Sequence, residues 1–166
     1  ADLVTYGKVI GGGLPVGAFG GKKEIMEHIA PLGNVYQAGT LSGNPIAMIA
    51  GFTLLNELKE NPSIYSELEE KTKYLQAGLD KELSASGIPY VINQFGSMIS
   101  VHFSENPVTD FASAATANIP LFNNLFHYML DHGIYLPPSA YESWFLNNAL
   151  SYDDLDKTID VMKKFL

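Results

Sequence analysis

The sequence predicts an α/β architecture, and three observations carry that reading. Short β-prone runs alternate along the chain with longer runs whose apolar positions recur at helical spacing. The 166 residues are 46% hydrophobic and 17% charged, so apolar material suffices for a packed core and disorder is excluded. No apolar run approaches the roughly 20 residues that cross a bilayer, which sets membrane-spanning helices aside.

In chain order, Leu3, Val4 and Tyr6 form a β-prone opening run, broken at once by Gly7-Lys8. The chain starts on Ala1 rather than Met and is strand-like immediately, so we expect a piece of a longer polypeptide whose front portion is missing. Lys22 to Ile29 is expected to be a short helix, ended by Pro31 and Gly33. Asn44 suits an N-cap and Pro45 the first position of a helix running to Glu60. Its first half is apolar on most faces through Phe52 and is expected to be buried. Asn61-Pro62-Ser63 is the best internal boundary, dividing the chain into domains 1–60 and 61–166.

Beyond that boundary Ser63 can cap a helix that reaches Ser86-Gly87, with Glu67 and Glu69 near its positive end. Strands are predicted at Tyr90–Ile92, Met98–Phe103, Ile134–Leu136 and Trp144–Leu146, with a helix over Pro120–Asp131 that stops at Gly133. Ser151 opens a last amphipathic helix with Asp153 and Asp154 in its first turn and Lys163 and Lys164 in its last, so charges complement the dipole at both ends.

Composition narrows the chemistry. The net charge is −8 and all ten basic residues are lysines. An acidic chain without Arg is poorly equipped to neutralise phosphate backbones, which sets nucleic acid aside as a partner. Cys is absent, so disulfides, thiolate metal sites and a Cys nucleophile are excluded, and a reducing, cytoplasmic compartment fits. His28, His102, His127 and His132 are scattered without the spacing of a zinc helix motif, so no metal site is expected.

Lys8 is the first candidate for chemistry. It follows a strand of apolar and small residues and precedes a run with six glycines between Gly11 and Gly21. If that surrounding buries it, its amine pKa should be pushed down, which makes the amine nucleophilic toward carbonyls. A solvated loop lysine is the competing reading. The glycines themselves do not form a nucleotide motif: Lys23 stands where a Walker loop needs Ser or Thr, and Val16 where a dinucleotide loop needs its third glycine. The second candidate is Gly39-Thr40-Leu41-Ser42-Gly43-Asn44-Pro45, where a Thr hydroxyl and free amides ahead of a helix start suit an anion. An ordinary capped helix start is the alternative there.

The run Tyr6-Gly7-Lys8-Val9-Ile10-Gly11-Gly12-Gly13-Leu14-Pro15-Val16-Gly17-Ala18-Phe19-Gly20-Gly21 resembles the cofactor-lysine segment of fold-type I pyridoxal-phosphate enzymes of the class III aminotransferase group. Val35-Tyr36-Gln37-Ala38-Gly39-Thr40-Leu41-Ser42-Gly43-Asn44-Pro45 is similar to that group's phosphate-contacting segment. Together with Gly133-Ile134-Tyr135-Leu136-Pro137-Pro138-Ser139-Ala140-Tyr141-Glu142, they resemble the glutamate-1-semialdehyde 2,1-aminomutase family over essentially the whole chain.

The resemblance implies a fold-type I architecture, with residues 1–60 the end of the large cofactor domain and 61–166 the small C-terminal α/β domain. It implies pyridoxal 5'-phosphate, cycling through its pyridoxamine 5'-phosphate form, and an aminomutase that converts glutamate-1-semialdehyde to 5-aminolevulinate for tetrapyrrole synthesis. Lys8 would be the Schiff-base lysine, later moving protons on the substrate carbons. Gly39 and Thr40 would contact the cofactor phosphate of a neighbouring subunit in a homodimer, and Glu142 and Tyr36 would lie near the substrate. Other cofactor groups would precede Ala1, so the 166-residue chain alone is expected to bind cofactor weakly and turn over nothing.

The missing arginine discriminates within the group. Its transaminases acting on ornithine or 4-aminobutyrate resemble one another in clamping a substrate carboxylate with a C-terminal-domain Arg, for which Lys is a poor substitute. This chain carries no Arg. The competing readings are a class III aminotransferase with another amine pair and a non-catalytic dimerisation domain.

Overall fold

The computed structural model describes residues 1–166, and the chain divides between Pro62 and Ser63 into two units, Ala1–Pro62 and Ser63–Leu166. The secondary structure is mixed α and β, with every strand pairing antiparallel.

In the first unit β1 (Leu3–Tyr6) pairs antiparallel with β2 (Ala18–Gly21), Leu3 opposite Gly21 and Tyr6 opposite Ala18. Lys22 closes the open end of the pair, its ammonium 2.7 Å from the Asp2 carboxylate and its amide donating to the Asp2 carbonyl. Between the strands, Lys8–Gly11 coil into one 3₁₀ turn. α1 is shorter than expected, Lys23–Met26. Its last residues are drawn away because Ala30 donates to the Val35 carbonyl and Val35 to the His28 carbonyl, a loop closure that competes with further helix. α2 spans Pro45–Glu60, and the Asn44 side chain accepts from the amides of Ile46 (3.0 Å) and Ala47 (3.2 Å) with Pro45 in the first turn.

The expected burial of the first half of α2 does not occur. Ile46 is 70% exposed, Ile49 and Phe52 are exposed as well, and only Ala47 and Gly51 are buried. The physical reason is that the element seated on α2 is the backbone of the glycine-rich 3₁₀ turn, which covers the small residues and leaves the large ones bare.

The second unit is built on α3 (Ser63–Ser86), followed by β3 (Val91–Phe95) and β4 (Met98–His102). After the short α4 (Phe111–Ala114) and α5 (Ile119–Asp131) come β5 (Trp144–Phe145) and α6 (Tyr152–Phe165). The sheet order is β3-β4-β5, with Ile92 opposite Val101 and Ile99 opposite Trp144. Strand alternation sends Ile99, Val101 and Trp144 inward while Phe95 and Phe145 remain exposed. The inward face meets Leu75, Leu79 and Leu83 of α3, Phe122, Leu125 and Met129 of α5, and Leu155, Val161 and Met162 of α6. Burying each such large apolar side chain contributes about 2 kcal/mol. Lys71 adds a polar tie, its ammonium donating to the carbonyls of Asn148 (2.9 Å) and Leu150 (2.7 Å) and so fixing the loop that leads into α6.

α6 begins with a reciprocal cap: Ser151 Oγ accepts from the Asp154 amide while the Asp154 carboxylate accepts from the Ser151 amide and hydroxyl. α4, which the sequence reading did not anticipate, has the same device, with Asp110 accepting from the Ser113 amide at 2.7 Å. The predicted strand Ile134–Leu136 is absent. The segment joins no sheet, because β5 pairs with β4 and Pro137 and Pro138 lack ladder donors.

Candidate active site

Lys8 stands alone in one respect: its φ of 54° makes it the one non-glycine residue of the chain in the left-handed region. A side chain there costs on the order of 1 kcal/mol, and such strain persists only where the surroundings impose it. The imposing feature is the seat of the turn on α2. A Cβ on Gly12, whose φ is 59°, would lie 2.5 Å from the Ala50 carbonyl oxygen, and one on Gly51 would strike the Ile10 carbonyl. Backbone therefore rests directly on backbone, possible only because both residues are glycine. Gly51 is a functional position that the sequence reading missed; its signal was a glycine inside an otherwise apolar helical run.

The surroundings of Lys8 correct the sequence expectation. Lys8 is exposed, with no ion pair to its amine, so the burial expected of it does not occur within this chain. What the chain does supply is a strained turn, seated on α2, that carries the exposed amine.

The second segment is a succession of tight turns ahead of α2. Ser42 donates to the Gly39 carbonyl at 2.9 Å and Asn44 to the Leu41 carbonyl at 3.2 Å, whereas the amides of Thr40, Leu41 and Gly43 take no backbone partner. Thr40 is exposed and its hydroxyl is not engaged within the chain. A side chain at Gly39 would press on Ser42 Oγ, 2.8 Å from the position of its Cβ. Free amides and a hydroxyl at a helix start form a donor set suited to a phosphate or carboxylate.

A recess of about 410 Å³ brings this loop and the glycine run together, with Pro15, Phe19, Gln37, Leu41, Ser42 and Met48 on its walls. Lys8, Tyr36, Gly39 and Thr40 lie outside that lining. Tyr36 is 84% exposed. Glu142 belongs to the second unit, exposed, with its carboxylate accepting from the Ser139 amide at 3.2 Å and its own amide donating to the Ser139 carbonyl. That pair of bonds holds Glu142 on a closed turn. No cluster of His, Asp and Glu side chains is arranged to hold a metal ion, and no helix is long and apolar enough to cross a membrane.

Each segment separately fits one part of a phosphate-bearing aldehyde cofactor: an exposed amine for the carbonyl, and a hydroxyl with free amides for the phosphate, with neither Lys8 nor Thr40 lining the recess between them.

Comparison with known proteins points the same way. The family described as "Aminotransferase class-III" matches residues 1–166. A glutamate-1-semialdehyde 2,1-aminomutase of Flavobacterium johnsoniae is 57% identical over 164 residues, which is 99% of this chain and 38% of that protein. Among solved structures, a beta-phenylalanine aminotransferase from Variovorax paradoxus superposes with a TM-score of 0.87 at 30% identity, covering 99% of this chain and 38% of that one. A glutamate-1-semialdehyde-aminomutase from Pseudomonas aeruginosa PAO1 in complex with PMP shares the fold, with a TM-score of 0.79 at 21% identity over 99% of this chain and 38% of that one. The chain thus spans about 38% of the length of the relatives it matches.

Proposed function

This chain belongs to the class-III aminotransferase family, and on that premise we propose that its whole protein converts glutamate-1-semialdehyde to 5-aminolevulinate, an intramolecular amine exchange that serves tetrapyrrole synthesis. The observation that carries the reading is Lys8, held in the left-handed region on a glycine seat. Residues 1–60 are then the end of the cofactor domain and 61–166 the small C-terminal domain. The 57% identity to an aminomutase over nearly the whole chain supports the choice within the family, and so does the absence from residues 61–166 of an Arg that could clamp a substrate carboxylate.

Pyridoxal 5'-phosphate, alternating with its pyridoxamine form, supplies the electron sink when bound. The chain's own residues do the rest. Lys8 would hold the cofactor through its amine and, when free of it, would take and return a proton at its Nζ. Thr40 Oγ1 and the backbone at Gly39 donate to the phosphate, from a neighbouring subunit of a homodimer. Tyr36 and Glu142 bound the substrate; Glu142 is already fixed by Ser139 and presents a carboxylate of set orientation. The protein works in the cytoplasm on a small molecule.

The experiment is an assay of the complete enzyme on glutamate-1-semialdehyde as sole substrate. Formation of 5-aminolevulinate without added amino donor is expected. Turnover that requires an external amino donor would assign the protein instead to the aminotransferases, such as those it superposes on.

A further inference from the structure

We propose that Ser139 is a positioning residue: its amide and hydroxyl hold the turn from which Glu142 presents its carboxylate to the substrate. The proposal rests on the reading that Glu142 bounds the substrate, and the experiment below separates the two.

Glu142 is exposed, and an exposed glutamate ordinarily samples several rotamers, whose loss on binding costs affinity. Here the side chain folds back on its own turn, Oε2 accepting from the Ser139 amide at 3.2 Å. The turn is closed by the Glu142 amide, which donates to the Ser139 carbonyl at 3.1 Å. Ser139 Oγ accepts from the Tyr141 amide at 3.2 Å. Ser139 thus supplies one donor and two acceptors to the turn it opens.

The frame around the turn is fixed from other directions. Pro137 and Pro138 restrict the backbone that leads in. Ala140 is 8% exposed and belongs to the core of the second unit, so the middle of the turn is docked. Ser143 Oγ lies 3.2 Å from Ser100 Oγ on β4, and the buried Trp144 opens β5 directly after it. The Tyr141 ring rests on Phe111 of α4, with centroids 5.3 Å apart. Within that frame the remaining freedom is that of the Glu142 side chain, and Ser139 restrains it.

No hydrogen bond or ion pair within the chain engages Glu142 Oε1. A carboxylate held by one oxygen offers the other, at a set orientation, to an N–H donor such as a substrate amine. The Ser139 hydroxyl acts indirectly. Without it the Tyr141 amide lacks an acceptor and becomes a second donor that can draw the carboxylate out of place.

The test is a set of variants of the complete enzyme, assayed on glutamate-1-semialdehyde. Ser139→Ala should raise KM about fivefold and leave kcat within about twofold, because freeing one side chain weakens binding by roughly two- to tenfold. Ser139→Thr, which keeps Oγ, should bring KM back to within about twofold of the parent. Glu142→Gln should raise KM at least about tenfold, and adding Ser139→Ala to it should change KM by less than about twofold. The Tyr141 amide should undergo hydrogen exchange about tenfold faster in Ser139→Ala and at the parental rate in Ser139→Thr. That reading needs no turnover. A parental KM for Ser139→Ala overturns the role of Ser139 and leaves Glu142 at the substrate. So does failure of Ser139→Thr to rescue, an undiminished Ser139→Ala effect on the Glu142→Gln background, or unchanged Tyr141 exchange in Ser139→Ala. A parental KM for Glu142→Gln would instead remove Glu142 from the substrate, and the proposal with it.

Discussion

The two units solve different problems with similar composition. In Ser63–Leu166, sixteen apolar residues close into one core between a sheet and three helices. In Ala1–Pro62 only Gly11, Ala47 and Gly51 are buried, and the large apolar residues of α2 face outward. The first unit is ordered by backbone contact, a hairpin-like strand pair and a cap, and it spends that order on presenting Lys8. Stability is concentrated in one unit and strained presentation in the other, as expected where a site is mounted on a scaffold that something else must cover.

The largest test of this contrast is Lys8→Ala in the complete enzyme. Turnover should fall by about a thousandfold or more while the circular dichroism spectrum is unchanged, since Lys8 is exposed and bears no packing. A modest loss would return Lys8 to an ordinary loop residue. In the same vein, the 166-residue chain alone should turn over nothing.

Next comes a matched pair of truncations in the 166-residue chain. Leu79→Ala, at a position with no exposed surface, should cost about 3–5 kcal/mol in denaturant unfolding. Phe52→Ala removes a larger side chain but one that is 65% exposed, and should cost less than about 1 kcal/mol. Comparable losses would mean the first unit has a core after all.

Gly12→Ala places a side chain at positive φ against the Ala50 carbonyl. It should loosen the Lys8 turn by about 2 kcal/mol, read as faster exchange of the Gly12 and Leu14 amides, which donate to Val9 and Gly11. The unfolding midpoint of the second unit should not move.

What the sequence disclosed follows the range of the force involved. Asn44-Pro45 and Ser151 with Asp154 were legible because a cap is completed within three residues. The strand read at Ile134–Leu136 did not form, since propensity says nothing about which edge is free to pair with it. The burial predicted for Ile46, Ile49 and Phe52 failed for the same reason: an apolar face shows that cover is needed, not that this stretch of chain supplies it. For the site, the lysine and the turns around Thr40 could be named from the residues. The strained φ of Lys8 could not, because it arises from the approach of Gly12 to Ala50, far apart in sequence.

The smallest effects lie at the caps and on one histidine of the stable unit. Hydrogen bonds from Ser151 hold the Asp154 carboxyl below its usual range, and those from Ser113 do the same for Asp110. Both pKa values are depressed in the folded state, so the stability they contribute is present above the unfolded value near 3.8 and is lost as pH falls through the folded one. Ser151→Ala should cost about 1 kcal/mol at neutral pH and flatten that acid limb. Burial lowers the pKa of His102. The unfolded state therefore binds the proton first, and stability should decline as pH drops below about 6.5. A His102→Gln variant without that decline would support the assignment, and an unchanged slope would place its origin elsewhere.

The central claim is that the Lys8 amine carries the cofactor, and reductive trapping tests it most directly. Treating the complete enzyme with borohydride and mapping the pyridoxyl group by peptide mass spectrometry should place the label on Lys8. A label on any other lysine, or none at all, would contradict it.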